Sequence, residues 1–398
     1  MDKKKKLLWV GDAAVNTGFA RVGHSVLEHL KETYDVHVLG INYRGDPHPY
    51  NYPIYPAILG GDIMGIRRLV PMVEQLKPDV IAILQDPWIL DVYLHTLKTS
   101  LKPEQIPPIL TYFPVDAAGL SKTWFENFDI VKSTNVYTEF AKFEVSILEV
   151  PGLCCSNVNI IPHGVDLNTF YPLDKEKARE SMFPKNRLDD FNNSFIVLNA
   201  NRNQPRKRID LSILGFRQFA KDKKDVKLFL HMGMIDEGIN VIEACQTYGI
   251  SDKLIVTSME QSIPNLTSDK LNIVYNAADV GFNTSTGEGW GLTNWEHAAT
   301  GRPQVVPNHS ACFELWHEQG AFIFPAKDPV LNPKINTRGY VARIEDIATG
   351  LEAAYAMWKK NRDGFDDMGK QALELVSRPE YRWNNIAEQF KVQIERIS

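Results

Sequence analysis

The feature that most constrains the fold is an alternation that stops and then restarts. Short apolar runs alternate with longer segments of helical period, which is the pattern of parallel sheets covered by helices. The alternation begins at Leu7–Gly11, lapses in the charged, Pro- and Asn-containing segment 171–193, and restarts at Phe195–Ala200. The 398 residues can bury two cores. We therefore predict an α/β chain with two doubly wound Rossmann-like domains.

The same pattern predicts the domain boundaries. We expect a first domain over residues 1–172, a linker over 173–193 and a second domain over 194–380. Residues 381–398 carry apolar side chains at helical spacing and predict an amphipathic C-terminal helix. In two open α/β sheets the binding crevices lie beyond the carboxyl ends of the strands, and we expect them to face each other across a cleft. Functional residues should therefore lie in the loops that follow strands.

Composition and charge exclude several classes of protein. The formal net charge of -5 gives no global field that would attract nucleic acid or an acidic membrane. No apolar stretch approaches the roughly 18 residues of a membrane span, and the apolar segment after Lys3–Lys6 is too short for a signal peptide. The four cysteines have neither zinc-site spacing nor the density of a disulfide scaffold. We expect a cytoplasmic protein with reduced thiols and no integral membrane segment.

A glycine-rich loop over residues 284–291 links a predicted strand to a helix that starts at Leu292. Backbone N–H groups at such a helix start suit phosphate or another electron-rich oxygen. Glu288, in the middle of the loop, would repel phosphate, and its natural partners are hydroxyl groups. Glu296 lies about one turn into the helix. The two acids can bracket one extended ligand, and the alternative is a helix cap with a surface salt bridge.

Two other loops carry candidate binding residues. The segment "NANRNQPRKRID" follows the strand Phe195–Ala200, and we interpret Arg202 and Lys207 as cations for phosphate. We interpret Arg206 and Arg208 as parts of a solvated turn. In the first domain Gly18 precedes the first helix in "GDAAVNTGFARVG". That loop is neither GxGxxG nor GxxxxGK(S/T), which argues against dehydrogenases and P-loop NTPases.

Several motifs together resemble one known family. "EGWGLTNWE" resembles the "EGFGLxxxE" signature of the large family 4-like (group 1) retaining glycosyltransferases of GT-B fold. "YNAADVGFNTSTGEGWGL" looks like that family's "YxxADVxxxPSxxEGFGL", and "GRPQVVPNHSACFEL" looks like its "GxPVVAxxxGGxxEL". "IPHGVDLNTFYP" and "RNQPRKRID" are similar to its "IPNGVDxxxFxP" and "GRLxxxKGxD". The resemblance also implies that the C-terminal helix crosses back to the first domain.

What the resemblance implies is a transferase that moves a sugar from a nucleotide sugar, with UDP the commonest nucleotide, to a hydroxyl acceptor. It implies retention of configuration, a front-face mechanism, and no cofactor or metal beyond the nucleotide-sugar co-substrate. No Asp-x-Asp motif is present to hold a metal. We therefore predict a cytoplasmic glycosyltransferase of the hexosyl- or pentosyltransferase class.

The resemblance also implies residue roles. Arg202 and Lys207 would neutralise the donor diphosphate, and Glu296 would bind the ribose hydroxyls. Gly18 would approach the phosphates from the first domain. The donor sugar would be held by Glu288 together with the backbone of Gly289, Trp290, Gly291 and Leu292.

The first domain departs from the family pattern at three positions. Asp116 in "TYFPVDAAG" follows the fourth strand, where a histidine is common, and His163 replaces the usual Asn of the "NGVD" loop. The usual double glycine of the first loop is reduced to Gly18. We take Glu288, Asp116 and His163 as the candidate catalytic residues.

Alternatives remain open from the sequence. The chain can be a nucleotide-sugar-binding partner or regulator without catalysis, or a glycosyltransferase that acts on hydroxylated DNA bases. An epimerase or a phosphorylase is possible on fold alone. The acceptor can be a saccharide, a lipid-linked sugar, a small molecule, a protein or modified DNA. Basic residues in the first domain are too sparse to indicate a nucleic-acid groove.

Overall fold

The chain divides into two compact units. A computed structural model describes residues 3–58, 60–150, 153–154, 156–262 and 264–398. The first unit comprises the chain up to Gly164 together with Pro379–Ser398, and the second comprises Val165–Arg378. The segment predicted as a linker, residues 173–193, belongs to the second unit and carries two short helices.

The first unit is built on a seven-stranded sheet in the order β3-β2-β1-β4-β5-β6-β7, with every pairing parallel. Strand β1 is buried on both faces, which explains its continuous apolar sequence. The strands are β1 Lys6–Asp12, β2 Asp35–Ile41, β3 Ile54–Pro56, β4 Val80–Leu84, β5 Ile109–Phe113, β6 Val131–Val136 and β7 Val158–Ile160. The helices between them are α1 Gly18–Leu30, α2 Ile66–Leu76, α3 Pro87–Ser100 and α4 Glu139–Ser146.

The second unit contains a six-stranded parallel sheet in the order β10-β9-β8-β11-β12-β13 and a two-stranded antiparallel hairpin, β14-β15. Its strands are β8 Phe195–Asn199, β9 Val226–Leu230, β10 Leu254–Val256, β11 Val280–Phe282, β12 Gln304–Pro307, β13 Ala321–Phe324, β14 Asp328–Leu331 and β15 Arg338–Val341. Its helices are α5 Lys175–Met182, α6 Leu188–Asn192, α7 Ile209–Phe219, α8 Val241–Thr247, α9 Ser268–Ala277, α10 Leu292–Ala298, α11 Ser310–Trp316, α12 Ile344–Lys360 and α13 Arg362–Val376. The strand order reverses between β8 and β11, which is where ligands bind in open α/β sheets.

A buried ion pair fixes the start of β11. Asp279 accepts hydrogen bonds from Arg179 at 2.7 Å, from Lys175 at 2.8 Å and from the backbone N–H of Ile196 at 2.8 Å. Burial raises the pKa of the Asp279 carboxyl, but the charges of Arg179 and Lys175 outweigh it, so the pKa is lowered. This cluster ties α5 to the amino-terminal edge of the sheet.

The chain returns to the first unit in its last helix, α14 (Trp383–Ile397). The ring of Phe390 lies 5.8 Å from that of Trp9 and 4.9 Å from that of Tyr112, and Phe390 is fully buried. The Ser133 hydroxyl donates to Gln393 at 3.0 Å. The predicted return of the C-terminal helix to the first domain is thus confirmed. Within the described ranges, no helix has the length and apolar character that crossing a membrane requires.

Candidate active site in the second unit

The candidate site lies at the carboxyl ends of β8 and β11, two neighbouring strands at the point where the strand order reverses. The glycine-rich loop leaves β11 and ends at Gly291, which has φ +92° and caps the start of α10. Only glycine adopts this left-handed conformation without steric cost. The predicted strand, loop and helix succession around Glu288 is therefore present.

Glu288 is the centre of the site. Its side chain is 4% exposed, and Oε1 accepts a hydrogen bond from Nζ of Lys207 at 2.6 Å. Oε2 lies 3.3 Å from a guanidinium nitrogen of Arg206. Burial raises the pKa of the Glu288 carboxyl, but the charges of Lys207 and Arg206 outweigh burial and lower the pKa to about 2. Glu288 is therefore ionised and can only accept hydrogen bonds.

Lys207 has the complementary environment. Burial lowers the pKa of its ammonium group, and the negative charge of Glu288 opposes that effect. Lys207 and Glu288 were both predicted site residues from different loops, and the structure brings them into direct contact.

The structure corrects the sequence-based expectation for Arg206. It was expected in a solvated turn, but its guanidinium contacts Glu288 and donates to the carbonyl of Gly287. Its own carbonyl accepts the N–H of Thr286 at 2.9 Å, so the two loops are joined through the backbone as well. The short turn Pro205–Lys207 decides which arginine points at the acid. No spacing in the sequence distinguishes it from Arg208, which pairs with Asp210.

Arg202 is engaged by acidic residues. Its guanidinium donates to both carboxylate oxygens of Asp236, at 2.9 and 3.1 Å, and to Glu237 at 3.1 Å. These bonds raise the pKa of Arg202. The diphosphate role predicted for Arg202 remains a prediction, and a bound phosphate would have to compete with this pairing.

Glu296 lies in α10 and is 2% exposed. The hydroxyl of Tyr275 donates to its Oε2 at 2.9 Å. In the preceding loop Gly289 and Trp290 are buried, whereas Gly291 and Leu292 are partly exposed. The rings of Trp290 and Trp295 pack at 5.1 Å, which anchors the loop to the helix.

The loop is also held by two residues that follow β12. The hydroxyl of Ser310 accepts the N–H of Glu288 at 3.1 Å, and Nε2 of His309 donates to the carbonyl of Ser285 at 2.8 Å. Ser310 has φ +41°, at a position where the resembling motif has glycine. Sequence reasoning missed both residues, although the replaced glycine in "NHSACFEL" was a signal.

The remaining predicted residues lie in the first unit. Thr17 caps α1, which begins at Gly18, and Asp116 follows β5 and is partly exposed. His163 is 3% exposed, and its ring packs 4.1 Å from that of Tyr137. Burial lowers the pKa of His163 to about 3, so the ring is neutral. Their catalytic or donor-binding roles stay predictions.

The described part of the chain contains no cluster of three or more His, Cys, Asp or Glu side chains that could hold a metal.

Comparisons with curated proteins connect part of the chain to glycosyltransferases. No family model matches the chain. It is 28% identical to D-inositol 3-phosphate glycosyltransferase of Salinispora tropica over 159 residues. This aligned segment covers 38% of this chain and 32% of that protein. It is also 28% identical to mannosylfructose-phosphate synthase of Agrobacterium fabrum over 174 residues. That segment covers 42% of this chain and 36% of that protein. The matches thus span about a third of the length of these relatives.

Solved structures match over nearly the whole chain. HepE of Anabaena in complex with UDP and glucose aligns with a TM-score of 0.71 at 13% identity, over 98% of this chain and 100% of that one. A glycosyltransferase from Rickettsia africae gives 0.72 at 14% identity, over 99% and 98%. Sucrose-phosphate synthase from Thermosynechococcus elongatus gives 0.70 at 15% identity, over 99% of each chain. The chain has the GT-B fold. The predicted α/β class with two Rossmann-like domains is therefore confirmed.

Proposed function

We propose that this protein is a glycosyltransferase that transfers a sugar from a nucleotide-sugar donor to a hydroxyl acceptor. The observation that carries the proposal is the buried, ionised Glu288 held by Lys207 and Arg206 at the strand-order reversal. Curated relatives named as glycosyltransferases and a shared GT-B fold support it. We further propose a UDP-linked donor, retention of configuration, independence of metal and a cytoplasmic location.

The chemistry assigns different tasks to the cations and the acid. Breaking a glycosyl phosphate bond develops negative charge on the leaving diphosphate, and preorganised cations and backbone N–H groups stabilise that charge. Lys207, Arg206 and Arg202 supply the cations, and the loop at Gly289–Leu292 supplies backbone N–H groups. In the front-face route the acceptor oxygen bonds to the anomeric carbon as the phosphate oxygen leaves. The acceptor proton passes to that oxygen.

Glu288 suits a hydrogen-bond acceptor for sugar hydroxyls and does not suit a general acid, because its low pKa keeps it ionised. Glu296 is proposed to bind the ribose hydroxyls, with Tyr275 holding one of its oxygens. We propose Asp116 as a ligand for an acceptor or sugar hydroxyl. The ring of His163 is buried among aromatic side chains, and its catalytic role stays a prediction.

The test is the variant Glu288→Gln in the full chain. Nucleoside diphosphate release is measured with a panel of nucleotide sugars and acceptor pools, and donor binding is followed by thermal stabilisation. We expect turnover to fall at least about 100-fold with donor binding retained, as when an oriented polar group is removed from a transition state. Glu374→Gln, an exposed change in α13, is the matched control.

Two results would contradict the proposal. Turnover of Glu288→Gln equal to that of the wild type would remove Glu288 from the reaction. Donor binding by the wild type without acceptor-dependent diphosphate release would favour the nucleotide-sugar-binding alternative.

A further inference from the structure

Three buried amide side chains connect Glu288 to strand β12. Nδ2 of Asn283 donates to Oε1 of Glu288 at 3.1 Å and to Oδ1 of Asn294 at 3.0 Å. Nδ2 of Asn294 donates to Oε1 of Gln304 at 2.9 Å, and Nε2 of Gln304 donates to the carbonyl of Arg302 at 2.9 Å. Asn283 and Gln304 are fully buried and Asn294 is 4% exposed. We call these three residues the amide relay.

The direction of every bond in the relay is fixed from its ends. Oδ1 of Asn283 accepts the N–H of Ser285 at 2.8 Å, so Nδ2 must face Glu288 and Asn294. At the other end the carbonyl of Arg302 can only accept, so Gln304 must donate to it. The amide of Asn294, which lies between these two ends, then has a single orientation that satisfies its hydrogen bonds. The relay therefore ends in a donor aimed at Glu288 and requires an acceptor oxygen there.

The sheet has a space for this arrangement. Gly281 in β11 pairs with Gln304 in β12. A Cβ atom on Gly281 would lie 1.9 Å from Oε1 of Gln304, so the glycine makes room for the glutamine side chain. The family motifs that this sequence resembles specify no residue at the positions of Asn283 and Asn294, and they have valine at the position of Gln304. The relay is thus a feature of this chain rather than of the shared signature.

We propose that Asn283 is a positioning residue for Glu288, with Asn294 and Gln304 holding its amide in place. Lys207 and Asn283 together fix Oε1 of Glu288, at 2.6 and 3.1 Å. Oε2 has the longer contact, 3.3 Å to Arg206, and is the oxygen we assign to the donor sugar. The inference rests on the proposed function, because it concerns the same carboxylate.

The test is Asn283→Asp, which keeps the shape of the side chain and replaces the donor Nδ2 with an acceptor oxygen. At neutral pH the introduced carboxylate faces Oε1 of Glu288, and the repulsion should lower kcat by about 10- to 100-fold, the cost of losing a buried hydrogen bond to a charged group. The donor KM should change by less than about threefold, because Lys207 and Glu296 still hold the nucleotide. When the introduced carboxyl is protonated it can donate to Glu288. Activity relative to the wild type should therefore rise as the pH falls from 8 to 5.

Several charged and titratable groups surround Glu288 and Asn283. Lys207 and Arg206 face Glu288 from the loop after β8, and Cys312 lies on α11. His309 lies after β12 and His297 on α10 beside Gly281, and burial lowers the pKa of both. These groups are present in both proteins, so the ratio of the two activities removes the pH dependence that wild type and variant share.

The matched control is Asn276→Asp in α9. Asn276 is also fully buried, and its amide donates to the carbonyl of Tyr171 at 3.0 Å rather than to a residue of the relay. It should lower the melting temperature without giving a relative activity that rises at low pH. Should Asn283→Asp fail to fold, Asn294→Ala provides a second test. Removing one partner of Asn283 should lower kcat by about 3- to 10-fold.

The outcomes separate the inference from the proposed function. Transfer that requires Glu288 but keeps its kcat and pH profile in Asn283→Asp, or keeps its kcat in Asn294→Ala, would overturn the inference alone. Absence of transfer by the wild type would overturn the proposed function and the inference together.

Discussion

Replacing Lys207 with methionine tests the central ion pair of the site. Methionine keeps much of the volume of the lysine stem and removes its charge. Glu288 would then remain buried with Arg206 at 3.3 Å and the amide of Asn283 as its polar partners. The variant should be less stable than the wild type because an ionised carboxylate loses its shortest hydrogen bond.

The magnitude follows from the pKa of Glu288. Lowering that pKa from 4.5 to about 2 corresponds to about 3 kcal/mol of stability. Breaking one side of a buried ion pair costs a similar amount, roughly 3–5 kcal/mol. A carboxyl whose pKa is lowered by folding stabilises the protein above its ordinary pKa, and this contribution is lost as the pH falls through the folded value. Since Lys207 supplies the larger charge effect, Lys207→Met should lose about 2–3 kcal/mol at pH 7. The difference from wild type should shrink between about pH 4.5 and pH 2.

The assay is urea unfolding of the full chain, followed by tryptophan fluorescence, with four proteins in a double-mutant cycle. Wild type, Lys207→Met, Glu288→Gln and the double variant are compared at pH 7 and across the acidic range. The double variant should lose at least about 1 kcal/mol less than the sum of the single losses, because it removes both charges of the Lys207–Glu288 pair together. Losses that add to within about 0.5 kcal/mol, or a difference that does not depend on pH, would refute the ion pair.

Two further predictions concern the scaffold. Arg179→Met should destabilise the second unit by about 3–5 kcal/mol, because it leaves Asp279 buried with one fewer cation, and urea unfolding measures the loss. His163 should stay neutral throughout pH 8 to 5, because burial holds its pKa at about 3, and its ring signals in NMR should not move over that range.

The controls for these predictions are direct. Lys370→Ala removes an exposed partner of Asp367 and should cost less than about 1 kcal/mol. An Arg179→Met loss as small as that would mean that Asp279 is not buried as described. A His163 titration near the ordinary histidine pKa of about 6.5 would show that its ring reaches water.

The sequence predicted the sheets well where strands are buried on both faces. Strand β8 covers Phe195–Asn199, one residue short of the predicted Phe195–Ala200, because a fully buried strand has a nearly continuous apolar sequence. The sequence predicted a strand from Asn135, but β6 begins four residues earlier, at Val131, since its early polar residues resemble a loop. The hairpin β14-β15 was missed because β14 is largely exposed and contains a proline.

The site was predictable in part for a similar reason. Glu288 and Lys207 each follow a strand, and neighbouring parallel strands bring their carboxyl ends together, so their contact could be anticipated. The contact of Arg206 depends on one short turn that no periodicity encodes. The amide relay joins residues 283, 294 and 304 across two strands and a helix. No spacing of asparagine and glutamine residues in a sequence predicts that their side chains will be hydrogen-bonded to one another.

Helix α14 has a consequence for the order in which the protein is made. The whole of Val165–Arg378 leaves the ribosome before Pro379–Ser398, which belongs to the first unit. Until then Trp9 and Tyr112 lack the covering ring of Phe390. Domains usually fold in the order of their synthesis. Here the unit that is begun first is completed last, and a nascent chain paused before residue 379 carries an unfinished first unit beside a fully synthesised second one.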